Sequence, residues 1–168
     1  MSTQPTSTSG RSPIAAKLSG LYCHFKNGAA KLQSPFLLLV RLYWGWLFAQ
    51  TGWGKLHNLG HVHDFFASLG IPAPGFMAGA IASLEFFGGI LLIVGLATRL
   101  TGFLLVCNML TAYITADREA LAAVFSSSPD KFYNADPFTF LFASAIVLVF
   151  GAGFFSLDYV FSRPRKRL

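Results

Sequence analysis

The stretch Phe76 to Leu96, FMAGAIASLEFFGGILLIVGL, constrains this chain more than any other. It is long and apolar enough to cross a bilayer, for which a helix needs roughly 20 such residues over about 30 Å of hydrocarbon. Near its middle stands one ionisable residue, Glu85. A carboxyl group at that depth costs about 2.5–3.5 kcal/mol on insertion scales unless it is protonated or meets a partner. Lipid offers no partner, so Glu85 is expected to face other helices.

Composition agrees with a membrane chain. With 54% hydrophobic and 12% charged residues and a mean hydropathy of +0.54, the protein is too apolar for an ordinary soluble domain. Charged residues there run near ~25%. The 168 residues allow one compact domain. The formal net charge of +6 does not point to nucleic acid, because the basic residues gather in two tails that flank the apolar spans. Cys23 and Cys107 lack CxxC spacing, and one falls in a tail while the other falls in a span. That argues against a disulfide or a thiolate metal site.

Residues 1–13 are rich in Ser, Thr, Pro and Gly without apolar periodicity and read as a disordered tail. No apolar run follows the first basic residue as in a cleaved signal peptide. Over 14–34, Ile14, Leu18, Leu21, Phe25 and Leu32 recur at helical spacing, with Lys17, His24, Lys26 and Lys31 between them. This predicts a basic amphipathic helix on a membrane surface, the alternative being a partly ordered tail. Residues 35–161 then hold four candidate spans: Pro35–His57, Phe76–Leu96, Leu100–Ala116 and Pro137–Leu157. Asp136-Pro137 is a good helix start, with Asp as cap and Pro in the first turn. Residues 162–168 form a basic tail. The expected fold is all-α, an integral-membrane four-helix bundle with an N-terminal interfacial helix.

Orientation follows from the placement of Lys and Arg. The two tails and the tight turn at Arg99 carry most of them and fall on one side of such a bundle. The other side carries Lys55, Arg118 and Lys131, offset by Asp64, Asp117, Glu119, Asp130 and Asp136. Both termini are therefore expected in the cytoplasm.

Depth picks out candidate site residues. Glu85 lies roughly 13 Å below the outer end of its span at a ~1.5 Å rise per residue. The same depth in the other spans falls near Gln50, Asn108 and Ser144, so the polar side chains collect in one layer. Such groups turn inward and hydrogen-bond to one another. The layer is either structural glue between helices or a site that handles protons or a polar ligand through Glu85. At the cytoplasmic end, Arg41, Arg99 and Asp158 form a second cluster, in which Asp158 can pair with either arginine as an interfacial ion pair. Arg41 and Lys55 lie toward opposite ends of their span, where cationic side chains reach the headgroups. Lys55 joins His57, His61 and His63 at the outer interface. The histidines match no metal-ligand motif, and Asn58-Leu59-Gly60 interrupts any single helical face, so no metal site is expected.

Several of these residues carry a resemblance. Arg41-Leu42 followed by Gly45, Phe48, Gly52 and Lys55-Leu56 is similar to the first helix of DoxX-type membrane proteins. So are LGIPAP at 69–74, Glu85 with Gly88-Gly89, LLIVGLATR at 91–99 and Ser156-Leu157-Asp158, in that order and spacing. The resemblance covers about Pro35 to Phe161. It implies a four-helix protein of the bacterial inner membrane. The related DoxD proteins are the membrane subunit of a thiosulfate:quinone oxidoreductase, and other DoxX-like proteins are associated with membrane redox and oxidative-stress assemblies. A specific activity does not transfer with a fold. The sequence has no haem-attachment CxxCH, no Rossmann fingerprint and no catalytic cysteine pair, so a redox role needs a bound quinone or a partner chain. No covalent cofactor is expected. Two function classes follow: a quinone-linked redox subunit with Glu85 handling protons, or a non-catalytic accessory subunit docked onto a larger membrane complex. The implied partners are the lipid bilayer and other membrane-associated chains, not nucleic acid. Transport ranks below both, since the chain shows no internal repeat or broken helix.

Overall fold

The computed structural model describes residues 13–125 and 128–162, and every regular element among them is helical. The helices are α1 (Pro13–His57), α2 (Leu59–Ser68), α3 (Pro74–Val94), α4 (Thr98–Thr115), α5 (Arg118–Ala123), α6 (Asp130–Asn134), α7 (Pro137–Phe150) and α8 (Leu157–Ser162). The expected tail at 1–13, apart from Pro13, and the basic residues Arg163, Arg165, Lys166 and Arg167 lie outside the described residues.

Two compact units divide between Gln33 and Ser34. The first holds the N-terminal part of α1, on which Tyr22, Phe25, Lys26, Lys31 and Leu32 are exposed. In the second, one apolar core draws Val40 and Phe48 from α1, Leu92 from α3, Leu105 and Met109 from α4, and Ala143 and Val147 from α7. A smaller cluster seats Val62 and Phe66 of α2 on Ala78 of α3. Small residues bring α1 and α3 together. A Cβ on Gly52 would run into the Phe86 backbone, and one on Gly89 would meet Gly45 and Ala49. Glycine at these crossings removes the side chains that would hold the backbones apart.

Large apolar side chains also cover the outward faces. Leu39 and Trp46 of α1, Phe87 of α3, Phe103 of α4 and Phe142 of α7 are all exposed. A soluble monomer rarely leaves so much apolar surface uncovered. Among the described helices, α3 alone is long and apolar enough to cross a membrane by itself. The fourth expected span differs from the sequence reading. It starts at Pro137 but ends at Phe150 instead of Leu157, because Gly151 (φ 76°) and Gly153 (φ 74°) turn the chain through the left-handed region. Its 14 residues reach only about 21 Å.

The cluster expected at Arg41, Arg99 and Asp158 forms differently. Arg41 does not reach for headgroups; it is 1% exposed. Its Nε donates to the Leu92 carbonyl at 2.9 Å and its Nη2 to Ile93 at 3.1 Å, in the last turn of α3. Its Nη1 donates to the carbonyls of Ala152 and Phe155 beyond α7. A guanidinium there satisfies carbonyls that the helix leaves open and complements the negative end of its dipole. Asp158 serves the opposite polarity. Its carboxylate accepts the amides of Ala97 at 2.7 Å and Thr98 at 2.8 Å, where α4 begins. Its own amide donates to the Gly95 carbonyl at 3.0 Å. Asp158 thereby holds Ala97 at φ 48°, a conformation that costs a non-glycine residue on the order of 1 kcal/mol. Arg99 is exposed and lies beside Gly151. Asp158 makes no salt bridge with either arginine among the described residues. Backbone ends, aimed and already desolvated, hold both charged groups instead.

Two predictions follow from this packing. Burial raises the Asp158 pKa, but the hydrogen bonds from the amides of Thr98 and Ala97, with the Arg41 charge nearby, outweigh it and hold the carboxyl below its usual range. A depressed folded-state pKa contributes stability above the unfolded value, near ~3.9, that is lost as pH falls through the folded value. Asp158→Ala should therefore lower stability by about 0.5–2 kcal/mol at neutral pH. The gap from wild type in detergent melting curves should begin to narrow below about pH 4 and close as pH falls through the lower folded-state value, and ligand binding at the Glu85 cavity should be unaffected. For the helix crossing, Gly52→Ala should lower the melting temperature sharply. Gly54→Ala, where a Cβ meets nothing within 4 Å, should leave it unchanged or raise it.

Candidate functional site

Glu85 lies on the buried face of α3 and is 2% exposed. Two side chains from other helices meet it. Lys55, in the last turn of α1, places Nζ 2.7 Å from Oε1 and 2.6 Å from Oε2. Asn108 of α4 donates from Nδ2 to Oε1 at 3.0 Å. The carboxylate thus has an opposite charge and a neutral donor, which offset the loss of water around it. An ammonium has three N–H groups and a carboxamide has two. After Glu85 is served, Lys55 and Asn108 each retain an N–H for a further acceptor.

The expected layer is brought together only in part. Glu85 and Asn108 meet as anticipated. Gln50 does not join them: it is exposed on the other side of α1. Gly45, Phe48, Gly52 and Lys55 are spaced by three, four and three residues, which places them on one helical face, whereas Gln50 lies about 200° round from Phe48. Ser144 is fully buried on α7, but its hydroxyl has no hydrogen-bond partner and it does not line the cavity. Lys55 is the residue that depth counting missed. Its Cα sits nearer the helix end than Gln50, and its four-carbon stem reaches back toward the core instead of out to the headgroups. The face it shares with Phe48 and Gly52 was the available signal.

The triad borders a cavity of about 530 Å³. The walls are largely apolar and aromatic, with Phe48, Phe65, Phe66, Ile81, Met109 and Phe140 among them. Thr51, Thr111 and Thr115 also line it, but their hydroxyls donate to carbonyls of their own helices at 3.0, 2.8 and 2.7 Å. They offer the cavity lone pairs, not protons. Of its polar lining residues, Glu85 and Asn108 are buried, whereas His61 and Asp136 are exposed.

The outer histidines separate into different roles. His57 stacks on Trp53, with ring centroids 4.1 Å apart, and its Nδ1 lies 3.0 Å from the Trp53 carbonyl. His63 pairs with Asp64 at 3.0 Å. His61 alone of the three lines the cavity. Among the described residues, no three His, Cys, Asp or Glu side chains converge as a metal site would require.

Comparison with known proteins places this geometry in a family. The DoxX family model matches residues 36–118, which include Lys55, Glu85 and Asn108. The putative oxidoreductase CatD of Bacillus subtilis (strain 168) is 34% identical over 129 residues, covering 77% of this chain and 89% of that protein. The inner membrane protein YqjF of Escherichia coli (strain K12) is 33% identical over 85 residues, covering 50% of this chain and 64% of that protein. No solved structure matches the chain significantly. On the extent of the match to CatD and the span of the family model, the chain belongs to the DoxX family.

Proposed function

We propose that this protein is a quinone-binding subunit of a bacterial inner-membrane redox assembly, with Glu85 as the proton-handling group. The observation that carries the reading is the Lys55–Glu85–Asn108 triad lining an aromatic cavity of about 530 Å³. Ligand sites of roughly 300–1,000 Å³ with apolar walls and a few convergent polar groups are the usual kind. The similarity to CatD, named a putative oxidoreductase, and to YqjF, named an inner membrane protein, supports the same direction. The cavity suits a quinone ring, since aromatic walls meet its faces and the spare N–H groups of Lys55 and Asn108 meet a carbonyl. A bound quinone supplies an acceptor for two electrons and two protons. The electrons would come from a partner chain that takes them from a donor of the thiosulfate class, and the residues here would bind the ring and handle its protons. Lys55 would hold a ring oxygen by its free N–H. Glu85 would pass protons from water to the ring through Oε2, one for each electron taken up, while Asn108 keeps Oε1 in place. Phe48, Phe66 and Phe140 would keep bulk water off the ring.

A second reading rests on the same atoms. Both carboxylate oxygens of Glu85 already have partners, and the contacts join α1, α3 and α4. An accessory subunit held together by this triad would look alike. In both readings the chain is a multi-pass bundle of helical segments from α1, α3, α4 and α7 in the inner membrane, with both termini in the cytoplasm.

The deciding variant must respect Lys55. Glu85→Gln alone leaves a partly buried ammonium without its counter-charge, which destabilises for reasons unrelated to protons. The double substitution Lys55→Gln with Glu85→Gln removes both charges and keeps hydrogen-bonding groups. In the assembly containing this chain, the double variant should melt like wild type while quinone reduction falls by about 10²–10⁴-fold, the usual worth of a positioned acid or base. Wild-type turnover in that normally folded variant would leave the accessory reading. For topology, single cysteines at Asp130 and Ser162, in a chain freed of Cys23 and Cys107, should react with an impermeant thiol reagent from opposite faces of the membrane. Labelling of both in intact spheroplasts would overturn the arrangement.

A further inference from the structure

We infer that His61 is the second polar contact of the cavity, donating to the ring oxygen opposite the one held at Lys55, so that the site selects two-carbonyl rings over one-carbonyl rings. This rests on the quinone reading above and adds the residue that would set its specificity. A para-quinone presents two acceptors at opposite ends of a flat ring and no donor. Among the lining side chains, N–H groups belong to Lys55, Asn108 and His61. The first two sit together, bound to the buried Glu85 carboxylate. The threonine hydroxyl protons are directed to backbone carbonyls, and Asp136 as a carboxylate can only accept. His61 is therefore the one lining donor away from the triad.

Its surroundings leave it available. His57 and His63 are engaged, by Trp53 and Asp64 respectively, whereas His61 makes no hydrogen bond or ion pair among the described residues. A neutral imidazole offers one N–H, which suffices for a carbonyl. His61 rides on α2, which the contact of Val62 and Phe66 with Ala78 fastens to α3. The helix that carries Glu85 thus also anchors the element that presents His61. His61 and Glu85 are therefore carried on one packed scaffold, as recognition of two oxygens on a rigid ring requires.

The test uses the full-length protein in mild detergent and two probes, 2,3-dimethyl-1,4-naphthoquinone and 2-methyl-1-tetralone. The first has both ring alkene carbons blocked, so the exposed thiols of Cys23 and Cys107 cannot add to it. The second is similar in size with one carbonyl. Affinities are measured by calorimetry for wild type and for His61→Ala, His61→Gln and His63→Ala. The inference expects His61→Ala to weaken the diketone by about five- to thirtyfold, the worth of one hydrogen bond to a partly buried acceptor. The tetralone should bind wild type and His61→Ala alike, His61→Gln should recover part of the loss, and His63→Ala should change nothing. A general loosening of α2 would instead weaken both probes equally, and that result overturns the inference. If wild type binds the diketone and His61→Ala binds it equally well, His61 has no role while the quinone reading stands. If wild type binds neither probe, the quinone reading fails and the inference falls with it.

Discussion

A carboxylate inside an apolar helix must be neutralised or paired, and how this chain meets that condition at Glu85 organises its second unit. Lys55 and Asn108 approach from two other helices, and each must arrive at hydrogen-bond distance for the charge to be tolerated. That requirement fixes the rotation of α1 and α4 about their own axes, since turning either by one residue would carry its polar group away. The glycine crossing of α1 on α3 belongs to the same condition. Lys55 reaches Glu85 only because Gly45, Gly52 and Gly89 let the two backbones come close. Apolar packing of Phe48, Leu92 and Leu105 supplies most of the burial, but it is tolerant of rotation in a way that the triad is not.

At the far end of the same helices the problem is inverted. Here the chain must satisfy backbone groups, not a side-chain charge. α3 ends with open carbonyls and α4 begins with open amides a few residues later, joined through Gly95 and Ala97 in left-handed conformations. Arg41 covers the carbonyls and Asp158 covers the amides. Each brings a charge of the sign that its helix end favours. Because Arg41 also binds Ala152 and Phe155, the chain beyond α7 is tied to the α3–α4 turn through one guanidinium. This explains why a short α7 is acceptable. Of the seven residues that the sequence suggested would continue it, 151–156 instead form the irregular stretch that Arg41 grips, and Leu157 begins α8.

Much of this was legible before any coordinates, and the failures share a cause. Helical class, the start of α7 at proline, and the meeting of Glu85 with Asn108 follow from hydropathy, turn residues and depth, whereas α3 begins at Pro74, two residues before the expected Phe76. Depth alone treats a helix as a ladder, however, and ignores which way each rung points. It therefore admitted Gln50, which faces outward, and Ser144, which is buried elsewhere. It also assigned Lys55 and Arg41 to the interface, on the rule that long cations reach for headgroups. The rule holds where no better acceptor lies inward. A buried carboxylate for Lys55 and a helix end for Arg41 are better acceptors, and neither is visible until the helices are placed side by side. The 3-4-3 spacing of Gly45, Phe48, Gly52 and Lys55 contained the direction for Lys55, because close glycine packing and the lysine had to share a face. Nothing comparable in the sequence marks Leu92, Ile93, Ala152 and Phe155, whose carbonyls carry the interaction with Arg41 and whose side chains are irrelevant to it.

The two readings of the triad make different demands on the same bonds. Glue requires that Glu85 stay ionised and paired, so any proton arriving there weakens Lys55's hold and loosens the contact of α1 with α3. A proton-handling site requires that loosening to be small, so the helices must be held by something else while the carboxyl is neutral. The structure contains such a second support: the glycine crossing and the Arg41 anchor lie on the same pair of helices and involve no titrating carboxylate. With α1 fastened to α3 at both places, Lys55 can release one oxygen of Glu85 without releasing the helix. Asn108, a neutral donor that can also accept through its own amide oxygen, can stay beside the carboxyl in either protonation state. This separation of the scaffold from the charge pair is what the proton-handling proposal requires of the fold, since a buried carboxylate that changed state would otherwise loosen its surroundings.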